Sequence, residues 1–492
     1  LFKNLRYIVI DEMHAFIGTE RGRQLQSIMT RLEYEAGGKV PRIGLSATLG
    51  DMASAAKFLR PNENNAPTII NGEGNQNDIW IKVKGFFDKT TEVEGAETTT
   101  GQRAIIDDLF ENITGKNNLV FPNGRNKVEL YANQLRKLCR KNGIPNEYWA
   151  HHGSLSKTLR EETENALKDT SRPCSAICTT TLELGIDIGH IDSVTQIGTP
   201  PSVASLRQRL GRSGRREGAP SILRAYVIEK ESGPTMTVSD MLREDLLGLC
   251  ASINLLLRGW YEPPKANGMH LSTMVQQTLS LIAQYSGITP ARLWHLLVQK
   301  GPFWMIDAET FKSFLKGLKE KDLVYQDPDG MILPTLNAER YINSYEFYTA
   351  FKTEDEYKLL HAGKELGSMP MDRPLQKGET ITFASRSWKA VSCSATNRII
   401  NVEPTSRSSP PVFTGCGFSL HVEIRKEMRR ILESDETYKY LDETAQSMLG
   451  EAREAYRAYG LDKQTVIPTK NGFAWCPGAG GEPSATLALI VG

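Results

Sequence analysis

The chain has 492 residues, too many for one hydrophobic core, and this length predicts about three or four domains. Lys and Arg number 59 against 58 Asp and Glu, which excludes a globally basic protein. A partner as acidic as nucleic acid must therefore meet a local basic patch. The sequence has neither an apolar run of the ~18 residues that a membrane span needs nor a signal peptide, so we expect a cytoplasmic protein with no membrane partner. Its seven cysteines are spread singly, which favours free thiols over disulfides or a zinc site.

The chain opens directly on the apolar run 5–10, which is typical of a parallel strand buried on both faces. A fold rarely begins at its central strand, and residue 1 is Leu, so we expect residues to be missing before it. Residues 1–71 alternate strand patterns, 5–10 and 42–45, with helical ones, as in half of an open α/β sheet. The polar stretch 88–102 predicts a mobile surface connection.

A second α/β block follows, and its order of elements predicts a complete doubly wound unit. The predicted elements are strands at 118–121, 175–178, 193–197 and 223–228 and a helix at 126–141.

Between about residues 239 and 336 the pattern changes to three helices closed by a hairpin, which indicates a winged helix. Thr289 is placed to cap the second helix, and Pro290 is placed as its first residue. The predicted elements are helices at 278–285, 291–299 and 311–321 and a hairpin that pairs 323–325 with 331–333.

The last part of the chain, from about residue 363, turns to alternating β patterns followed by helical ones. The predicted elements are strands at 379–384, 389–392 and 398–402, helices at 419–433 and 435–459, and a final apolar run at 485–491.

Two segments in the first part of the chain end strands with polar side chains. Asp11 and Glu12 follow the run 5–10, at the edge where open α/β sheets bind ligands. One carboxylate there can hold Mg²⁺ through water and its neighbour can activate an attacking water, although an ordinary acidic turn has the same pattern. Residues 44–49 (GLSATL) place small hydroxyl residues after a strand, either to relay hydrogen bonds or to cap the helix that follows.

Two further segments carry hydroxyl and basic side chains. Residues 179–189 (TTTLELGIDIG) join hydroxyls that suit a phosphodiester to an acidic residue that suits a ribose, or form a simple β-to-α turn. Residues 208–216 (QRLGRSGRR) combine arginines with glycines, which suits either a phosphate-gripping surface or a general basic patch for nucleic acid.

Taken in order and spacing, these four segments resemble motifs II, III, V and VI of superfamily 2 helicases. Residues 119–125 resemble motif IV, and residues 151–155 resemble the segment that follows it. The form of motifs V and VI, together with residues 387–391 and 411–415, resembles the large helicase-related (Lhr) family across essentially the whole chain.

The resemblance implies an α/β fold with two RecA-like lobes, the first incomplete, followed by a winged helix and a β-rich core domain with appended helices. The implied ranges are 1–75 for the first lobe, 76–235 for the second, 236–340 for the winged helix and 341–492 for the core domain.

The resemblance also implies a role for individual residues. Asp11 binds Mg²⁺ and Glu12 activates water, while His14, Ser46 and Thr48 couple the nucleotide to the nucleic acid. The implied nucleotide contacts are Asp11, Glu12, Gly185, Asp187, Gln208, Arg212 and Arg215, with Arg212 and Arg215 as catalytic arginine fingers. The implied nucleic-acid contacts are Thr180, Thr181, Gly153 and Arg125.

The implied activity is that of an ATP-dependent helicase or translocase that uses ATP and Mg²⁺. Its expected partner is single-stranded or partly duplex DNA, or an RNA–DNA hybrid, with 3′-to-5′ movement. Two alternatives stay open: a non-hydrolytic nucleic-acid-binding or regulatory protein, and an ATPase that remodels protein–nucleic-acid complexes without unwinding. The phosphate-binding pattern G-x-x-x-x-G-K-[ST] does not occur in the sequence. We therefore expect a protein of these 492 residues alone to lack ATP hydrolysis.

Overall fold

The computed structural model describes most of the chain, and the statements below concern the described residues alone. These are residues 2–46, 50–61, 67–70, 78–89, 98–183, 188–214, 216, 218–233, 236–264, 268–349, 356–370, 375–394, 397–405, 419–469 and 472–475.

The strands and helices alternate through the first half of the chain and separate in the second. The strands are β1 (Ile8–Ile10), β2 (Arg42–Gly44), β3 (Ile79–Asp88), β4 (Asn118–Phe121), β5 (Tyr148–His151), β6 (Ser175–Cys178), β7 (Ser193–Ile197), β8 (Ser221–Lys230), β9 (Val324–Gln326), β10 (Ile332–Pro334), β11 (Glu356–His361), β12 (Lys364–Pro370), β13 (Thr380–Phe383), β14 (Arg386–Ser394), β15 (Ile399–Pro404), β16 (Val466–Thr469) and β17 (Gly472–Trp475). The α-helices are α1 (Glu20–Ala36), α2 (Met52–Ala56), α3 (Thr100–Ile113), α4 (Arg125–Lys141), α5 (Lys157–Lys168), α6 (Val203–Leu210), α7 (Val238–Met241), α8 (Glu244–Leu257), α9 (Leu271–Tyr285), α10 (Pro290–Trp294), α11 (Ala308–Glu320), α12 (Leu336–Ile342), α13 (Val422–Glu433) and α14 (Glu443–Ala458).

The chain divides into two compact units. Unit 1 comprises Leu1–Glu73 with Glu262–Thr353, and unit 2 comprises Gly74–Tyr261 with Glu354–Gly492. The predicted winged-helix range 236–340 therefore has residues in both units, and the four-part division of the chain stays a prediction.

Unit 2 contains a six-stranded, all-parallel sheet in the order β3-β8-β7-β4-β6-β5. The strands predicted at 118–121, 175–178, 193–197 and 223–228 are confirmed, and β4, β6 and β7 are buried along their whole length, as expected for central strands of a parallel sheet. This agrees with the predicted RecA-like, doubly wound fold.

Part of the connection predicted at 88–102 is wrong. Strand β3 continues through Asp88, and α3 begins at Thr100, with Thr99 and Gln102 forming a reciprocal capping box. The prediction took Thr and Gln for loop residues, although Thr followed three residues later by Gln is also a helix-start signal. Residues 90–97 lie outside the described residues.

The β-rich part of unit 2 is a five-stranded sheet in the order β12-β11-β15-β14-β13, antiparallel except for the parallel pair β11–β15. Its buried Phe383 and Trp388 share one apolar core with Tyr131 and Leu135 of α4. The two sheets of unit 2 are therefore joined by a common core.

In unit 2 one predicted helix begins later than expected, and one helix was not predicted as a separate element. The helix predicted at 435–459 begins only at Glu443, because Asp442 caps it by accepting the Ala445 amide hydrogen at 2.8 Å. Helix α8 was not predicted, and residues 246–256 within it are all buried, since it packs against α13, α6 and β8. The apolar run predicted at 485–491 lies outside the described residues.

Unit 1 contains the parallel pair β1–β2 and the segment 278–333, whose three helices and hairpin predicted a winged helix. The hairpin β9–β10 is antiparallel, and Thr289 caps α10 as predicted, with Pro290 as its first residue. The expectation that the first strand is buried on both faces is wrong, because Val9 is 58% exposed. Within the described part of unit 1, β2 alone pairs with β1. Across the described ranges, no helix is long and apolar enough to cross a membrane.

Candidate active site and nucleic-acid interface

The acidic pair of unit 1 follows β1 directly. Asp11 is exposed, and its Oδ1 accepts the Glu12 amide hydrogen at 2.9 Å. Glu12 has left-handed backbone dihedrals, φ 49° and ψ 45°, which are uncommon for a residue with a side chain. Strain of this kind is often found where a side chain must be aimed at a ligand. The pair therefore has two carboxylates at the carboxyl edge of a strand, where nucleotides bind in α/β folds.

The segment predicted to act as motif III is bonded to this acidic turn. The Met13 amide donates to the Leu45 carbonyl at 2.9 Å, and the Leu45 amide donates to the Ile10 carbonyl at 2.8 Å. A Cβ added at Gly44 would lie 2.5 Å from Met13 Sδ, so a larger residue would have to displace the end of the Met13 side chain. The two segments therefore form one continuous structure.

Two of the predicted coupling residues contact each other. His14 Nδ1 lies 2.9 Å from Ser46 Oγ, and the same nitrogen lies 3.4 Å from Glu12 Oε2. The same His14 ring nitrogen thus lies between the candidate water-activating carboxylate and the hydroxyl of the second segment. Thr48, the third predicted coupling residue, lies outside the described residues.

In unit 2 the predicted nucleic-acid contacts follow three neighbouring parallel strands. Arg125 follows β4, Gly153 follows β5, and Thr180 and Thr181 follow β6. Because β4 pairs with β6 and β6 pairs with β5, these four residues share one carboxyl edge of the sheet. Gly153 and Thr180 are exposed, and nothing lies within 4 Å of a Cβ added at Gly153. This edge is open to a ligand.

Thr181 is held by the buried ring of His151. His151 Nδ1 lies 2.8 Å from Thr181 Oγ1, and Nε2 lies 3.1 Å from Glu164 Oε1. Burial lowers the pKa of His151 below its ordinary value, although the Glu164 carboxylate opposes this shift. The Thr181 hydroxyl also donates to the His151 carbonyl oxygen at 3.2 Å, so both the ring and the main chain of His151 hold Thr181.

Arg209 is a residue whose importance the sequence prediction missed. Its side chain is 3% exposed, and its Nε donates to Glu183 Oε2 at 3.0 Å. Nη1 donates to Gln196 Oε1 at 2.6 Å and to Asn123 Oδ1 at 3.4 Å, and the guanidinium lies 4.6 Å from the centre of the Phe121 ring. One arginine therefore joins the segments that resemble motifs IV, V and VI.

A sequence signal for this burial was present. Arg209 follows Val203 and Leu206 at helical spacing on α6, and both of those residues are fully buried. Its position on the apolar face of the helix indicates a core contact, while the surrounding arginines suggested a phosphate contact.

Of the predicted nucleotide contacts in unit 2, Arg212 and Gln208 are described. Arg212 is buried, and its Nε and Nη2 donate to the Glu183 carbonyl at 3.2 and 2.7 Å. Gln208 is half-buried on α6. Gly185, Asp187 and Arg215 lie outside the described residues.

Comparison with known proteins agrees with this geometry. The DEAD/DEAH box helicase family matches residues 1–55, and the helicase conserved C-terminal domain family matches residues 101–217. The ATP-dependent helicase Lhr-Core of Methanocaldococcus jannaschii is 27% identical over 96% of this chain and 52% of its own length. The ATP-dependent helicase Lhr-Core protein 2 of Thermococcus barophilus is 36% identical over 44% of this chain and 24% of its own length. These matches support the interpretation of the chain as an Lhr-type superfamily 2 helicase.

A solved structure has the same fold as this chain. The Mycobacterium smegmatis helicase Lhr, bound to ssDNA and AMP-PNP, aligns with a TM-score of 0.66 at 22% identity, over 93% of this chain and 56% of that chain. The chain spans between about a quarter and about half of the length of the two Lhr-Core relatives.

Proposed function

We propose that this Lhr-family protein is an ATP-dependent helicase or translocase that moves along nucleic acid. The observation that supports this most is the shared carboxyl edge formed by Arg125, Gly153, Thr180 and Thr181, bonded through Glu183 to the arginines of α6 and its following turn. A motor needs such a link, because nucleotide-dependent changes must reach the strand that it grips. The Lhr-Core relatives are named ATP-dependent helicases, which supports the same activity.

The acidic turn of unit 1 fits a magnesium–nucleotide complex. Mg²⁺ is usually held by one or two carboxylates together with water and substrate phosphates, and Asp11 offers an exposed carboxylate of this kind. When bound, Mg²⁺ would neutralise charge on the phosphates. Glu12, beside Asp11, would orient and deprotonate the attacking water, and the His14–Ser46 contact would carry the state of this site onward.

The remaining nucleotide contacts follow the family pattern. Gly185, Asp187 and Gln208 would contact the nucleotide, and Arg212 and Arg215 would act as arginine fingers. Thr48 would join His14 and Ser46 in coupling.

The nucleic-acid edge suits a phosphate backbone. Thr180 and Gly153 are exposed, and hydroxyls and main-chain amides bind phosphate oxygens without reading sequence. We therefore propose largely sequence-independent binding to single-stranded or partly duplex DNA, or to an RNA–DNA hybrid, with 3′-to-5′ movement. We propose a cytoplasmic location for the protein.

The test is a single substitution in the full-length protein. Glu12→Gln keeps the size of the side chain but removes the base, so we expect steady-state ATP hydrolysis to fall by about 10²- to 10⁴-fold. Binding of AMP-PNP and of single-stranded DNA should stay near the wild-type values. Glu339→Gln, which changes an exposed carboxylate of the same unit, is the matched control.

Two outcomes would change the proposal. Normal hydrolysis by Glu12→Gln would remove the catalytic role of Glu12. Hydrolysis without strand separation of a partly duplex substrate would favour the remodelling ATPase instead.

A further inference from the structure

The loop that carries Gly153 is fixed by a buried hydrogen-bonded pair, Glu129 and His152. His152 Nε2 lies 2.9 Å from Glu129 Oε1, and both side chains are completely buried. Glu129 belongs to α4, one turn after Arg125 at the start of that helix. His152 is therefore tied to the helix that begins at another predicted nucleic-acid contact.

The same carboxylate also binds the β-rich sheet. Glu129 Oε1 accepts the Ala384 amide hydrogen and Oε2 accepts the Ser385 amide hydrogen, each at 2.6 Å. Ala384 and Ser385 form the turn between β13 and β14, and both have positive φ without being glycine. The Glu129 carboxylate accepts hydrogen bonds from two main-chain amides of this turn. It thereby supports a turn whose residues, Ala and Ser, do not favour a positive φ.

The β-rich sheet holds the other side of the loop through its backbone. The Ser156 amide donates to the Leu366 carbonyl, and the Ser368 amide donates to the Ser154 carbonyl, both at 2.8 Å. A Cβ at Gly367 would lie 2.1 Å from the Ser154 carbonyl oxygen, so only glycine permits this approach.

The loop changes from buried to exposed within a single residue. His152 and Ser154 are buried, and Gly153 between them is exposed. Ser154 is bonded to the β-rich sheet, and His152 is bonded to Glu129, which also binds that sheet. The position of the Gly153 main chain therefore depends on the β-rich sheet. The hydrogen bonds that hold His152 and Ser154 fix the direction of the loop. A buried pair such as Glu129–His152 is weak evidence for a purely stabilising role.

We propose that the β-rich sheet, acting through the Glu129–His152 pair, positions the Gly153 loop for gripping the nucleic-acid backbone. Glu129 and His152 are positioning residues in this arrangement, and the nucleic acid touches neither. This inference rests on the proposed function, because the Gly153 edge must bind nucleic acid for its position to matter.

The test compares substitutions that keep or remove the hydrogen bond. His152→Leu removes the donor, and Glu129→Gln removes the charge and places an amide group against a backbone amide. His152→Gln keeps a donor near the position of Nε2, and Glu161→Gln, in an exposed i,i+4 pair on α5, is the control. Affinity for a labelled single-stranded DNA oligonucleotide is measured on the full-length protein by fluorescence anisotropy, below the melting temperature of every variant.

We expect His152→Leu and Glu129→Gln to weaken binding by about 10- to 100-fold, since a displacement of ~1 Å can cost about 100-fold in function. His152→Gln and Glu161→Gln should bind as the wild type does. In DNA-stimulated ATP hydrolysis, the two disruptive variants should raise the DNA concentration for half-maximal rate while keeping kcat at saturating DNA. A purely structural role would not give this split or the rescue by Gln.

The outcomes separate this inference from the proposed function. Wild-type DNA affinity in all four variants would overturn the positioning role and leave the helicase proposal unchanged. Equal losses of affinity in His152→Leu and His152→Gln would have the same consequence. Failure of the wild type itself to bind DNA would overturn both. If the disruptive variants do not fold, Glu129→Asp replaces them, because it keeps the carboxylate but withdraws it from His152, Ala384 and Ser385. Unchanged DNA affinity in Glu129→Asp would then overturn the inference.

Discussion

Arg209→Ala is expected to destabilise unit 2 more than a change to any exposed arginine of the same segment. The side chains of Arg209 and Glu183 are 3% and 8% exposed, so removal of the guanidinium leaves a carboxylate buried without its partner. Breaking such a pair from one side costs about 3–5 kcal/mol. The substitution also removes the donor to the buried Gln196 Oε1, which adds to the cost. This cost is a large share of the ~5–15 kcal/mol that stabilises a typical domain.

The measurement is urea unfolding followed by tryptophan fluorescence, with the free energy of unfolding taken from the midpoint and slope. The double variant Arg209→Met with Glu183→Gln removes both charges and should recover most of the loss. Arg216→Ala, which changes an exposed arginine seven positions along, is the matched control. An Arg209→Ala midpoint equal to that of Arg216→Ala would refute the argument that this network is a main support of the unit.

Three further substitutions test the roles of Arg212 and Ser46 and the effect of the buried Glu229 on stability. Arg212→Ala in the full-length protein should lower kcat for ATP hydrolysis by about 10³- to 10⁵-fold with little loss of nucleotide affinity, and unchanged kcat with weaker nucleotide binding would remove its role as a finger. Ser46→Ala should keep basal hydrolysis and reduce its stimulation by DNA, because it breaks the contact with His14; undiminished stimulation would contradict the coupling role. Burial raises the pKa of Glu229 to about 8 from an ordinary 4.5, so the folded state binds a proton that the unfolded state releases, and stability falls as pH rises through that window. Glu229→Gln should flatten this loss in unfolding measured from pH 4.5 to about 8, and a pH dependence equal to the wild type would count against it.

The fold was predictable where the sequence has strong local signals. The four strands predicted in unit 2 are short runs rich in apolar residues, and such runs identify strands buried between helices. Strand β5 was missed because its sequence, YWAH, has no branched aliphatic residue and ends in histidine. Strand β3 lies at the edge of its sheet, where Trp80 is 61% exposed, and its alternating pattern is less distinct than that of a central strand.

The site was only partly predictable, because its key contacts join residues far apart in the chain. Sequence spacing identified Thr181 and the arginine-rich segment, but Arg209 and Asn123 are separated by 86 positions and meet only in the folded sheet. The buried bonds between Glu129 and the turn at Ala384 span 255 positions. No local pattern distinguishes a buried charge with such a partner from an exposed one, and the helical face on which the charge lies is the best available indicator.

Glu183 has a central place in this site because three of its groups point to three different partners. Its carboxylate binds Arg209, its carbonyl accepts from Arg212, and its amide donates to the Thr180 carbonyl at 3.1 Å. Any shift of the turn at Thr180 when a strand binds therefore moves a partner of both arginines without an intermediate residue. For Arg212 to reach a phosphate, it must give up bonds to a carbonyl of the same turn that offers Thr180 to the strand. Under the proposed roles of Arg212 and Thr180, hydrolysis and nucleic-acid binding compete for the geometry of Glu183. Basal and DNA-stimulated rates must therefore be measured separately in every variant of this turn.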